Sequence, residues 1–247
     1  MMRAEHLAQL DAIDQTYWWH RVRWRAVRRS LHRTARRRAF SGYFDIGSGG
    51  GGLPGLLVND FAFTEIRLFD QHEVQGSKIN HPRVTQHAVD LERFQADGLP
   101  APELVTCLDV LEHLRDPAQL LRELRRCAAG RTSTLIVTVP AMRSVWSWWD
   151  ELAGHHRRYT RRELERLLED AGWRVVYCRY FFHAAVVPLW LRHRWRAGGG
   201  SKRLEFPRLP GWLNGWLERA FWLEYLATDW FPLPFGSSLI AVARVVG

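Results

Sequence analysis

The chain has 247 residues, 47% hydrophobic and 25% charged, with 35 Lys and Arg against 26 Asp and Glu, for a net charge of +9. That composition can bury a core and excludes a disordered chain. The three cysteines, Cys107, Cys127 and Cys178, are too few and too widely spaced for a disulfide scaffold, which points to a reducing compartment.

The opening MMRAEHLAQLDAID carries charges where a signal peptide needs an apolar stretch, and no apolar run reaches about 18 residues. A cytoplasmic location is therefore expected, with membrane association left open. Lys78 and Lys202 are the only lysines, so nearly all the positive charge is arginine. Coding bias and an anionic partner both account for that excess.

Residues 1–40 are arginine-rich and free of Pro and Gly, and read as one or two helices with Tyr17, Trp18, Trp19, Val22 and Val27 as apolar positions. Short strand-like runs follow, separated by turns or helices: Tyr43–Ile46, Ile66–Phe69, Val84–Val89, Leu104–Leu108 and Leu135–Val139. Strands alternating with helices predict a parallel sheet in an α/β domain. Asp116-Pro117 signals a helix start, Leu120, Leu121, Leu124 and Cys127 continue it, and Gly130 is expected to close it. Thr160 and Glu163 form a capping box for a second helix, with Leu164, Leu167 and Leu168 on one face and Gly172 at its end. Two more strand-like runs are Trp173–Phe181 and Ser238–Val246. Between them, residues 183–236 read as an insertion with one or two amphipathic helices, broken by AGGGSKR at 197–203.

The first strand-like run ends in Asp45-Ile-Gly47-Ser48-Gly49-Gly50-Gly51-Gly52. Glycines there let the backbone take positive φ and let a ligand approach it closely. Their spacing alone fits two ligands, a dinucleotide and S-adenosylmethionine. Asp45 separates them: a carboxylate at this strand end repels a pyrophosphate but attracts the ammonium and sulfonium of S-adenosylmethionine. Asp70, at the end of the next strand, stands where a carboxylate can hold ribose hydroxyls.

The Asp45–Gly51 string resembles the first motif of class I S-adenosylmethionine-dependent methyltransferases. The string Leu108-Asp109-Val110-Leu111-Glu112-His113-Leu114-Arg115-Asp116-Pro117 is similar to the motif after strand 4 in the small-molecule, quinone-type branch (methyltransferase type 11/12-like). The resemblance runs from about Tyr43 to Phe181 and resumes at the last strand. It implies a Rossmann-like, doubly wound sheet of seven strands in the order 3-2-1-4-5-7-6, with strand 7 antiparallel. It also implies a lid from residues 1–40 and a methyltransferase domain over 41–247. The cofactor contacts it implies are Asp45, Gly47, Ser48, Gly49, Gly51, Asp70, Gln71, Asp90, Leu91, Leu108, Asp109 and His113. Gln71 departs from the small or apolar residue usual beside the adenine.

For the acceptor side, the loop after strand 5 carries Trp146-Ser-Trp148-Trp149-Asp150-Glu151 and Gly154-His155-His156-Arg157-Arg158-Tyr159. Asp150 and His155 are the candidate acceptor contacts, with His113 a further catalytic candidate; a hydroxyl acceptor needs such a base. The same residues also suit a polar network that orders the loop. His155-His156 does not read as a metal site, because no Cys or carboxylate stands at ligand spacing. The expected reaction is methyl transfer to a small-molecule or lipid-like acceptor, at oxygen, with an anionic group on the acceptor motivated by the arginines. Peripheral membrane contact and a homodimer are open. Nucleic acid is not expected, since no RNA-binding module adjoins the domain and the Asn-Pro-Pro-Tyr type motif is missing. The competing readings are an RNA or protein methyltransferase and a non-catalytic cofactor-binding scaffold.

Overall fold

Seven strands form one sheet in the order β3-β2-β1-β4-β5-β7-β6. The computed structural model describes residues 16–35, 37–71, 79, 81–128, 132–195 and 209–245. The strands are β1 (Ala39–Ile46), β2 (Ala62–Asp70), β3 (Val84–Ala88), β4 (Leu104–Leu108), β5 (Thr134–Pro140), β6 (Trp173–Phe181) and β7 (Ser238–Val245). The first five pair in parallel, and β7 runs antiparallel to both β5 and β6. This is the expected topology.

The strand boundaries differ where pairing is one-sided. β1 begins at Ala39 rather than Tyr43, because Ala39 and Phe40 pair with Ala62 and Phe63 of β2 while β4 joins only from Tyr43. Burial is uninterrupted from Gly42 to Ile46, and the doubly flanked part, Tyr43–Ile46, is the part an apolar run reveals.

Seven helices accompany the sheet in the described residues: α1 (Trp18–Thr34), α2 (Gly52–Leu57), α3 (Pro117–Cys127), α4 (Trp148–Ala153), α5 (Arg161–Asp170), α6 (Val186–Trp195) and α7 (Gly211–Ala227). Leu120, Leu121 and Leu124 of α3 and Leu164 and Leu168 of α5 pack in one core cluster. Val22, Ala26 and Leu31 of α1, Leu53 and Leu57 of α2 and Tyr225 of α7 pack in the other. Asp116 caps α3 as expected, its carboxylate accepting from the Ala118 and Gln119 amides at 3.1 and 3.2 Å. The helix ends at Cys127, and the expected closing Gly130 lies outside the described residues. Thr160 and Glu163 form their capping box, and Gly172 follows α5 with φ +85°.

The insertion forms two helices, but α7 is not amphipathic in the expected sense. Both its acids point inward, beside Leu217, Phe221 and Tyr225, while three of its large apolar residues point out. Glu218 meets Arg25 at 2.8 Å and Arg21 at 3.2 Å, and Glu224 accepts from the main-chain amides of His183 and Ala184, each at 2.8 Å. Trp212, Trp216 and Leu223 are 75%, 60% and 64% exposed. Interhelical pairing with the arginines of α1 therefore overrides the usual polar-out rule. The break at 197–203 lies outside the described residues.

Candidate active site

The carboxyl ends of β1, β2 and β4 open onto a cavity of about 910 Å³. Its floor is the turn after β1. Gly47, Gly49 and Gly51 have φ of +69°, +46° and +73°, conformations that side chains resist. A Cβ on Gly47 would stand 2.3 Å from Val110 Cγ2, and one on Gly52 2.2 Å from the Trp24 ring. The turn is thus glycine for both backbone and space. The Gly47 amide donates to the Phe69 carbonyl at 2.8 Å, and the Gly49 amide donates to the Asp70 carboxylate at 2.9 Å. These bonds fasten the β1 turn to the end of β2.

Asp45 is buried and borders the cavity. It pairs across the sheet with Thr106, whose hydroxyl donates to it and also meets the Tyr43 hydroxyl at 2.8 Å. Burial, and then the Asp45 charge, pushes the Tyr43 hydroxyl well above its ordinary range.

Ser48, Gly49, Asp70, Gln71, Asp90, Leu91, Leu108, Asp109 and His113 also border the cavity. Gly51 lies beneath the turn, where an added Cβ would stand 3.0 Å from Ile79. Asp90 is exposed and caps a short helical turn at Leu91–Arg93, accepting from the Glu92 amide at 3.0 Å. Asp109 sits at φ +52°, with its amide donating to the Thr138 carbonyl and its carboxylate accepting from the Thr138 hydroxyl, both at 2.9 Å.

Helix α1 supplies a wall. Tyr17, Trp18, Trp19, His20, Arg23 and Trp24 all border the cavity, and Arg23 donates to Asp109. Trp18 stacks on Phe221 with ring centroids 4.6 Å apart, and Trp19 stacks on Phe182 at 4.1 Å. The first turn of α1 is closed from outside: Asn214 of α7 accepts from the Trp18 amide at 2.9 Å. Sequence reading named the Tyr-Trp-Trp cluster but missed His20 and Trp24; the spacing of Tyr17, His20 and Trp24 on one helix face was the available signal.

The loop after β5 brings Ser147, Trp149, His155 and Arg158 to the same cavity. Asp150 is fully buried and does not border the cavity. Its carboxylate takes a two-pronged contact from Arg158 at 2.7 and 3.1 Å and the Ser147 amide at 2.8 Å. His155 Nδ1 meets the same carboxylate at 2.8 Å, which turns Nε2 toward the cavity side. Burial alone would raise the Asp150 carboxyl; the His155 hydrogen bond and the Arg158 charge outweigh it and hold the carboxyl below its ordinary value. The ordering network and the cavity contact thus coexist, with Asp150 holding and His155 facing.

His113 and His155 meet edge to face, ring centroids 4.7 Å apart. Burial, and then the neighbouring His155, pulls the His113 imidazole down to about 4. Glu112, the least conspicuous residue of its string, is fully buried and borders the same cavity. Neither of its carboxylate oxygens has a hydrogen-bond partner among the described residues. Burial, then the Asp109 charge, pushes its carboxyl well above the ordinary range. His155 Nε2 lies 4.0 Å from it. The missing carboxylate partner of His155 is therefore present, brought from the far end of the β4 loop by the fold rather than by sequence spacing.

The residues at the β1 turn suit S-adenosylmethionine: a side-chain-free cradle, one buried carboxylate toward the cationic end, and a second carboxylate at the end of β2. Among the described residues no helix is long and apolar enough to cross a membrane.

A family model described as a methyltransferase domain matches residues 18–177. Comparison with curated proteins finds no matching sequence. Among solved structures, the chain resembles the N-methyltransferase NodS from Bradyrhizobium japonicum in complex with S-adenosyl-L-homocysteine, at 15% identity and a TM-score of 0.60, covering 98% of each chain. It also resembles a Haloferax volcanii chain solved with the Trm112 methyltransferase activator, at 14% identity and a TM-score of 0.63, over 98% of this chain and 94% of that one. A third likeness is to 1,6-didemethyltoxoflavin-N1-methyltransferase from Burkholderia thailandensis, at 14% identity and a TM-score of 0.55, over 93% and 81%. At such identities the likeness speaks for the fold. The family match, the strand order and the glycine turn agree: the chain belongs to the methyltransferase-domain family and is an S-adenosylmethionine-dependent methyltransferase of the class I fold.

Proposed function

We propose that this enzyme methylates an oxygen of a small-molecule, lipid-like acceptor seated between the α1 wall and the loop after β5. The observation that carries this reading is the Glu112, His113 and His155 cluster on the cavity, with His155 oriented by buried Asp150. An amine nucleophile needs little more than alignment, whereas a hydroxyl must also lose a proton, and a fixed imidazole suits that need.

When bound, S-adenosylmethionine supplies an activated methyl group on sulfur. The roles assigned to the chain's own residues follow from position. Asp45 faces the cationic end, Asp70 the ribose, and Asp90 with Leu91 and Gln71 the adenine. Ser48 and the glycines line the turn, and Leu108 and Asp109 the opposite side. His155 Nε2 receives the acceptor hydroxyl, His113 packs beside it, and Asp150 is a positioning residue. Helix α1 serves as the lid, fastened by Arg23 to Asp109.

The apolar part of the acceptor is supported by the aromatic wall of Trp18, Trp19, Trp24 and Trp149. A lipid surface is supported by the outer side of the insertion. Trp212, Trp216, Trp230 and Phe231 are each at least 60% exposed. The acids nearby, Glu218, Glu224 and Asp229, are tied up in arginine pairs and main-chain bonds, so this face offers apolar rings beside exposed Arg219 without negative charge.

The direct test is His155→Ala: turnover should fall about 100-fold or more while S-adenosylhomocysteine affinity changes little. Equal loss of both, or loss of folding, assigns His155 to loop order and removes it from the reaction.

A further inference from the structure

Three potential ligand atoms converge at the acceptor end: a carboxylate oxygen of Glu112 and one ring nitrogen each of His113 and His155, all within 4.8 Å of one another. Each is prepared for a cation in a different way. Glu112 is fully buried with both oxygens lacking hydrogen-bond partners, a costly arrangement for a carboxyl group on its own. His155 gives Nδ1 to the Asp150 carboxylate at 2.8 Å, and Asp150 is itself held by Arg158. His113 packs edge to face on His155, ring centroids 4.7 Å apart, which places its ring beside the other two ligands. An imidazole with one nitrogen hydrogen-bonded to a carboxylate or carbonyl presents the other as a lone pair in fixed orientation, the usual support for a metal-binding histidine.

We infer that Glu112, His113 and His155 form a site for a divalent transition metal ion, zinc in the first instance, with its open coordination positions toward the acceptor cavity. Two imidazoles and one carboxylate are a ligand set that suits zinc and leaves room for a substrate oxygen. Ligands of a tetrahedral zinc at about 2.0–2.1 Å lie roughly 3.3 Å apart. His155 Nε2 and Glu112 Oε1 are 4.0 Å apart and all three ligand atoms lie within 4.8 Å of one another, so the side chains must close by about 0.7 to 1.5 Å to reach that spacing. Asp45 and Asp109 add negative charge nearby, and Arg23 and Arg158 are already paired with Asp109 and Asp150.

The cation site stands on its own ligands; only its purpose rests on the O-methylation proposed above. With zinc bound, His155 is a ligand rather than a base. A bound ion would supply a Lewis acid toward the acceptor hydroxyl, whose proton would leave to solvent as the methyl group passes from sulfur to oxygen, while Glu112, His113 and His155 would hold the ion and Asp150 would keep His155 oriented.

The test uses the full-length enzyme stripped with a chelator and titrated with zinc. One zinc per chain with micromolar or tighter affinity is expected, weakened at least 100-fold in Glu112→Gln and about 10- to 100-fold in Asp150→Asn. Cobalt substitution reads the site without mutation, since its absorption bands report two nitrogen ligands and one oxygen in low coordination. Sub-stoichiometric zinc, equal affinity in a folded Glu112→Gln variant, or octahedral cobalt spectra would overturn the inference. The two readings fail separately: stoichiometric zinc with an N-methylated product retains the site and removes the oxygen acceptor, whereas an O-methylated product from an enzyme that binds no stoichiometric zinc removes the site and retains the oxygen acceptor.

Discussion

Arg23 of α1 donates to Asp109 at the end of β4, joining residues 86 apart in sequence across the mouth of the cavity. Arg23 is almost wholly buried, and Asp109 is 32% exposed. Losing one partner of a fully buried pair costs about 3–5 kcal/mol, and the partial exposure of Asp109 moderates that. Arg23→Ala should therefore lower stability by about 2 kcal/mol in urea unfolding. It should also raise the exchange rate of α1 amides and the KM for S-adenosylmethionine. Unchanged exchange in α1 would separate this bond from lid closure.

Gly47 answers a different question, whether the turn is shaped for a ligand or only for the chain. Gly47→Ala faces both the positive φ and the 2.3 Å approach to Val110. A loss of about 1–3 kcal/mol is expected from strain of this kind, together with loss of S-adenosylhomocysteine binding by calorimetry. Val110→Ala in the same chain removes the clash but not the φ cost, and should recover part of the stability.

How far the site could be read from sequence follows from the same turn. Glycines, an acidic strand end and a second acid after the next strand are local facts, so Asp45, the turn and Asp70 were legible. The strands were legible because each run is short, apolar and punctuated, but their order in the sheet came from the family resemblance. What sequence could not show was burial of charge. In the sequence Glu112 is only one member of the string after strand 4, yet it is fully buried, 4.0 Å from His155. The inward acids of α7 were equally hidden, since Glu218 pairs with Arg21 and Arg25 of α1, distant in sequence, and Glu224 with the main-chain amides of His183 and Ala184.

Asp60 links stability to pH. It accepts from Arg28, and meets His32 at 2.8 Å. The Arg28 hydrogen bond, opposed by burial and aided by His32, holds its carboxyl below the ordinary 3.8. A lowered folded-state value means the contribution is complete above the unfolded value and is lost as pH falls through the folded one. Asp60→Asn should be less stable than the parent at neutral pH by about 1 kcal/mol. The difference should close as pH drops below 3.8. Chemical denaturation at several pH values reads it; a gap independent of pH would show that packing, not charge, is what Asn disturbs.

Trp212 and Trp216 are solvent-facing on α7. If that face meets a lipid surface, the double variant Trp212→Ser, Trp216→Ser should bind anionic vesicles at least tenfold more weakly, with S-adenosylhomocysteine affinity intact. Tryptophan emission of the parent should shift to the blue on vesicle addition. No shift, with cosedimentation equal for both proteins, would contradict a membrane-facing insertion.

The account turns on the acceptor atom. Incubating the enzyme with methyl-labelled donor and a cell lysate split into lipid, metabolite and RNA fractions, then locating the labelled carbon by NMR, tests it most directly. Label in the lipid or metabolite fraction, bonded to oxygen, is the predicted result. Label on nitrogen, or label confined to RNA, would contradict it.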